Sequence, residues 1–109
     1  SNIMSSLTIL NPNKLLEHVA DALDRLQNAL DKTLSSSTCF GLYVHISCLI
    51  ERLVMNKEVE TYLDVDEFTK ENQNFINLVK QTFREVEEYY GVDISIPEIG
   101  YIYDYIKND

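Results

Sequence analysis

The chain has no tryptophan, only three glycines and only two prolines among its 109 residues. An all-β domain needs turn residues between short strands, and they are too scarce here. Cysteine is nearly as rare: Cys39 and Cys48 form no CxxC pair and have no second ligand cluster beside them, which leaves a zinc site without its ligands. They read as two reduced helix residues. No stretch approaches the ~20 consecutive apolar residues of a membrane span, and the N-terminus shows no charged-then-apolar signal pattern. The expected location is cytoplasmic. Positive charge is the last scarcity, since nine Lys and Arg face eighteen Asp and Glu for a formal net charge of -9. Such a surface repels nucleic-acid phosphates and anionic lipid headgroups, so direct nucleic-acid and membrane contact are unexpected. A basic patch on another protein suits it better, although an acidic excess also serves solubility alone.

What is abundant is helical. A hydrophobic share of 45% in 109 residues fills one core and not two. Ser1-Asn2 reads as the residue of a protease-removed tag, so residues 1–9 are assigned to a tag remnant or N-terminal extension and residues 10–109 to one domain. Leu15, Leu16, Val19, Ala22, Leu23, Leu26, Ala29 and Leu30 recur at three- and four-residue steps, predicting an amphipathic helix from residue 13 to about 33. The Ser35-Ser36-Ser37-Thr38 run caps a second helix that reaches about Met55. Its stretch from Cys39 to Ile50 carries no Asp, Glu, Lys or Arg, as expected of a helix packed on most sides. From Asn56 to about Thr69 the periodicity fails and a connection is expected, with room for one turn around Val59 to Leu63. Phe75, Ile76, Val79, Phe83, Val86 and Tyr90 predict another long helix that stops at Gly91. Ser95-Ile96-Pro97-Glu98 has the capping-box spacing and opens a last helix with Ile99, Ile102, Tyr103 and Ile106 on its apolar stripe.

Two histidines deserve weighing as sites of charge chemistry. His18 lies at the border of a polar helix face and reads as a surface residue without a role. His45 sits inside the apolar second helix, where its ring nitrogens need partners or cost roughly 1–3 kcal/mol in desolvation. Two turns further along the same face stands Arg52. One reading is a core histidine bonded to a carbonyl beside an arginine paired with an acidic neighbour. The other is a phosphate acceptor, a neutral ring nitrogen acting as nucleophile with a cation to steady the added charge.

The segment Gly41-Leu42-Tyr43-Val44-His45-Ile46-Ser47-Cys48-Leu49-Ile50-Glu51-Arg52-Leu53, with its H-x6-R spacing, resembles the first phosphorylation-site helix of phosphotransferase-system regulation domains (PRDs). Ile96-Pro97-Glu98-Ile99-Gly100-Tyr101-Ile102-Tyr103-Asp104-Tyr105-Ile106 resembles the matching last helix, and together the likeness runs from about Leu10 to Asp109. It implies an all-α, compact five-helix bundle that dimerises and controls a bacterial transcriptional regulator or antiterminator in response to sugar. It further implies HPr or an EIIB component as phosphate donor, His45 as acceptor and Arg52 as the phosphate-side arginine. Tyr105 stands where the family's last helix carries a second acceptor histidine, so one site is expected and not two. The wording of both motifs is most similar to the C-terminal PRD of LevR-like activators, which join an AAA+ motor for the alternative sigma factor to two PRDs.

Three functions compete. A phosphate-receiving regulatory module requires an accessible His45. A dimerisation domain without phosphate control requires a buried, hydrogen-bonded one. An enzyme finds least support: there is no Gly-rich phosphate loop, no His-Glu metal spacing and no activated nucleophile, and Cys48 in an apolar helix reads as packing. Asp64, Asp66, Glu67 and Glu71 lack the middle glycine and ligand alternation of a calcium loop. No cofactor is expected. Tyr89, Tyr90, Tyr101, Tyr103 and Tyr105 read as filling for the bundle or a dimer interface.

Overall fold

The computed structural model describes residues 11–57 and 61–109. Among the described residues there are six helical segments and no strand. The remnant expected over residues 1–9 lies outside them.

Helix α1 spans Pro12–Leu30. The Asn11 side chain accepts the Lys14 N–H at 3.1 Å, and Pro12 takes the first turn, where its missing N–H costs nothing. Asp31 ends the helix in the left-handed region at φ 52°. Of the expected stripe, Leu15, Val19, Ala22, Leu23 and Leu26 are buried, Leu16 and Leu30 partly so, and Ala29 near the helix end is exposed. Helix α2 spans Ser36–Val54, with Ser35 Oγ accepting the Thr38 N–H at 3.3 Å. Within the charge-free stretch from Cys39 to Ile50 every residue except the exposed Phe40 is at least partly buried, so the helix is packed on most sides but not all.

The expected connection after α2 contains a helix instead. α3 spans Val65–Glu71 and opens from Asp64, itself at φ 58°. Asp66 and Glu67 sit in its first turn, where carboxylates complement the free N–H groups, and Phe68 anchors it in the core. Of the turn expected around Val59 to Leu63, Val59 and Glu60 lie outside the described residues, while Thr61 and Tyr62 are not helical.

The second long amphipathic helix is present but interrupted. α4 spans Gln73–Thr82 and α5 spans Arg84–Tyr90, with Phe83 between them. Thr82 Oγ1 donates back to the Leu78 carbonyl at 2.8 Å, and the Thr82 carbonyl accepts Arg25 Nε of α1 at 3.0 Å. Both contacts draw the backbone out of its regular ladder at this point. Counted as one interrupted helix, α4 and α5 leave the five-helix arrangement intact. Gly91, at φ 64°, ends α5 as expected. The last helix, α6, spans Ile96–Lys107.

α1 packs against α2, α4 and α5, and α6 packs against α2, α3 and α4. One continuous core results, with Leu26, Ile46, Leu49, Val79, Phe83, Ile99 and Ile102 among its fully buried members. Tyr103 is wedged between Phe68 and Phe75 at ring-centroid distances of 5.4 and 5.2 Å. Tyr89 remains exposed, so only part of the tyrosine cluster fills the bundle. No helix among the described residues is long and apolar enough to cross a membrane.

Candidate functional site

Helices α2 and α6 meet along one side of the bundle and leave an open cleft of about 500 Å³ there, lined by Phe40, Val44, His45, Cys48, Arg52 and Tyr105. The cleft exists because α2 is not covered on this face: Phe40 is 69% exposed. Gly41 lets Tyr105 approach the α2 backbone closely, since a Cβ at that position would come within 2.9 Å of the Tyr105 ring. The Tyr105 ring then lies 5.5 Å from the His45 ring, centroid to centroid. The position implied for a second acceptor is therefore beside the first, and a phenol occupies it.

Behind His45 and Arg52, and not itself lining the cleft, lies a carboxylate that composition and spacing did not single out as part of a site. Glu98 of α6 is fully buried, and its Oε2 accepts Arg52 Nη2 at 3.3 Å. Its Oε1 faces His45 Nε2 at 3.7 Å, a distance for charge interaction and too long for a hydrogen bond. Both of those atoms are buried and make no hydrogen bond among the described residues. Burial pushes the Glu98 carboxyl upward, but the His45 ring and the Arg52 guanidinium more than offset this and hold it below the usual carboxylate value. The His45 side chain is 21% exposed and that of Arg52 30%, so both line the open cleft while facing a buried group behind it.

Sequence reasoning placed Glu98 in a capping box with Ser95, and that expectation fails. Ser95 makes no side-chain cap, its Oγ is buried without a hydrogen bond, and Glu98 points toward α2 instead of back along its own helix. A half-buried imidazole and guanidinium on one helix face call for a carboxylate opposite, but nothing local in the sequence says which one answers.

The other candidates fall elsewhere. His18 is half-buried, stacked on Tyr89 at 4.3 Å and edge-on to Tyr90 at 5.6 Å, and is far more packed than a surface histidine. Cys39 and Cys48 are free thiols. Burial pushes the Cys48 thiol up, Glu51 adds to this and Arg52 opposes it, so the group is kept from the reactive thiolate form. No three His, Cys, Asp or Glu side chains converge as a metal site among the described residues.

The family model described as the PRD domain matches residues 13–109. Among curated proteins, the transcriptional regulatory protein DagR of Salmonella typhimurium (strain 14028s / SGSC 2262) is 22% identical over 103 residues. That alignment takes in 94% of this chain and 11% of DagR, so the chain spans about a tenth of the length of that relative. No solved structure matches. With the match running unbroken across both helices of the cleft, the chain belongs to the PRD domain family.

Proposed function

We propose that this PRD is the phosphate-receiving regulatory domain of a bacterial transcriptional regulator and that His45 accepts the phosphate. The observation that carries the reading is the placement of His45 at the wall of an open cleft, with the Arg52 guanidinium on the same helix face and bound to the carboxylate behind the ring. In the transfer, the lone pair of a neutral His45 ring nitrogen forms the new N–P bond as the donor's bond to phosphorus breaks. The donor's leaving atom keeps that electron pair. The phosphoryl group brings about -1.5 to -2 of charge, which a guanidinium is shaped to hold with two parallel N–H donors. The donor is HPr or an EIIB component, and sugar supply sets the phosphorylation state. The parent is a LevR-like activator in which ATP hydrolysis and DNA binding belong to other parts, residues 10–109 being the regulatory unit. Tyr105 accepts no phosphate, which makes the domain a single-site receiver acting as a dimer. The domain is regulatory and catalyses no reaction of its own.

A second reading is a dimerisation domain that has lost phosphate control. The tyrosine beside His45 and the exposed Phe40 at the cleft rim favour it. The test is incubation of the chain and its His45→Ala variant with Enzyme I, HPr, the EIIB component and labelled phosphoenolpyruvate. Acid-labile label on the native chain that vanishes in His45→Ala supports the receiver, and omission of single components identifies the donor. A folded chain that takes no label from any donor supports the dimerisation domain.

A further inference from the structure

We propose that Glu98 is the positioning residue through which phosphate on His45 is read: it yields Arg52 to the phosphoryl group and turns back to cap its own helix at Ser95. The inference rests on His45 being the acceptor.

Three observations meet at this carboxylate. First, Glu98 closes off His45 Nε2, the ring nitrogen farthest from the backbone, with Oε1 at 3.7 Å and neither atom hydrogen-bonded. Because Nε2 is buried behind this carboxylate, it takes a phosphoryl group only as Glu98 swings aside, and the up to about two negative charges then brought in keep the ionised carboxylate from returning. Second, the Arg52 guanidinium is within reach of both groups, held by Glu98 Oε2 at 3.3 Å while bordering the cleft that a phosphoryl group would enter. A dianion is the stronger partner for it. Third, Glu98 has somewhere to go. Ser95 and Glu98 stand at the two ends of a capping box, and Ser95 already has the extended backbone of an N-cap residue, at φ -76° and ψ 162°. Yet the box is unmade, with Ser95 Oγ buried and lacking a hydrogen bond.

Side-chain rotations alone would close it. Glu98 would take the Ser95 N–H, and Ser95 Oγ would take the Glu98 N–H. One arrangement ties α6 to α2 through Arg52, and the other satisfies the start of α6 within α6. Phosphorylation thus exchanges an interhelical tie for a local one, which loosens α6 from α2 and carries the state of His45 to the face where the two helices meet. Local patterns that a structure leaves unmade are expected where function competes for the same side chain.

The test reads the Ser95 backbone amide by hydrogen exchange in the 109-residue chain, with phosphate supplied both by the phosphotransferase components and by potassium phosphoramidate. Phosphate on His45 is expected to slow Ser95 exchange about tenfold, the protection of one newly made hydrogen bond. The His45→Ala variant, which also controls for modification of His18, should show no slowing. Glu98→Gln keeps the shape without the charge, so it should accept phosphate and leave Ser95 exchange unchanged. Phosphorylated His45 with unaltered Ser95 exchange overturns the switch and leaves the receiver standing. The same slowing in Glu98→Gln as in the native chain overturns expulsion by charge. Slowing with phosphoramidate alone supports the switch and removes the proposed donors, and a His45 that neither source phosphorylates overturns both.

Discussion

A carboxylate with no solvent exposure stays ionised only where polar neighbours offset its desolvation, and at Glu98 these are the His45 ring and the Arg52 guanidinium. Because the folded-state carboxyl is held below its unfolded value, Glu98 contributes stability that is present above the ordinary carboxylate range and is lost as pH falls through the folded value. Removing the guanidinium should move that loss to higher pH. Arg52→Met is expected to cost roughly 1–3 kcal/mol near neutrality, less than a fully buried pair would lose because water can enter through the cleft. Urea denaturation of both proteins between pH 3 and 7 checks the cost and the displaced acid limb together. His45 and Arg52 could be singled out beforehand because an imidazole and a guanidinium two turns apart share one face of a helix whose other charged residue is Glu51. Glu98 could not, because Ser-x-x-Glu before an apolar run has the same spelling whether the glutamate caps its own helix or is taken by another. Only the approach of α2, which no local pattern encodes, decides between them.

Contacts between elements account for what the periodicity left out. The stripes of α1, α2 and α6 repeat often enough to be read directly, whereas α3 has a single buried anchor, Phe68, inside a run of acidic residues. The break at Phe83 depends on Arg25 taking a carbonyl 57 positions away, so no window around residue 83 could show it. Two glycines test how closely helices and side chains meet. At Gly100 of α6 a Cβ would lie 2.8 Å from three carbons of the Tyr62 ring, which is pinned by its hydroxyl donating to Asp104 at 2.8 Å. Gly100→Ala should therefore destabilise by about 1–3 kcal/mol, the cost of overpacking against a ring that cannot move aside. At Gly41 the obstacle is the outer edge of Tyr105, which is 37% exposed and can swing toward solvent. Here alanine's better helix propensity, about 1 kcal/mol, offsets the displacement, so Gly41→Ala should match or exceed the native stability. Urea midpoints rank the two, and near-UV circular dichroism should register the moved tyrosine only in Gly41→Ala.

At the scale of the whole molecule, charge acts with opposite signs on folding and on encounter. Nine positive side chains against eighteen negative ones leave a net -9 that repels itself in the compact state. Attractive pairs at the surface, such as Arg25–Glu85 at 3.7 Å and Lys107–Asp104 at 4.0 Å, are exposed and contribute little for salt to remove. Screening should therefore favour the fold, and the urea midpoint is expected to rise between 20 and 500 mM sodium chloride, over which the Debye length drops from about 20 Å to about 4 Å. Association with a donor bearing a basic patch obeys the reverse rule. Its rate depends on the long-range field that salt collapses, so phosphoryl transfer to His45 should slow across the same range. Measuring both on one preparation separates the effects: a rate that falls while the fold strengthens belongs to encounter, whereas a rate that falls together with the midpoint would mean that salt loosens the bundle, and the acidic surface would then have no part in choosing the partner.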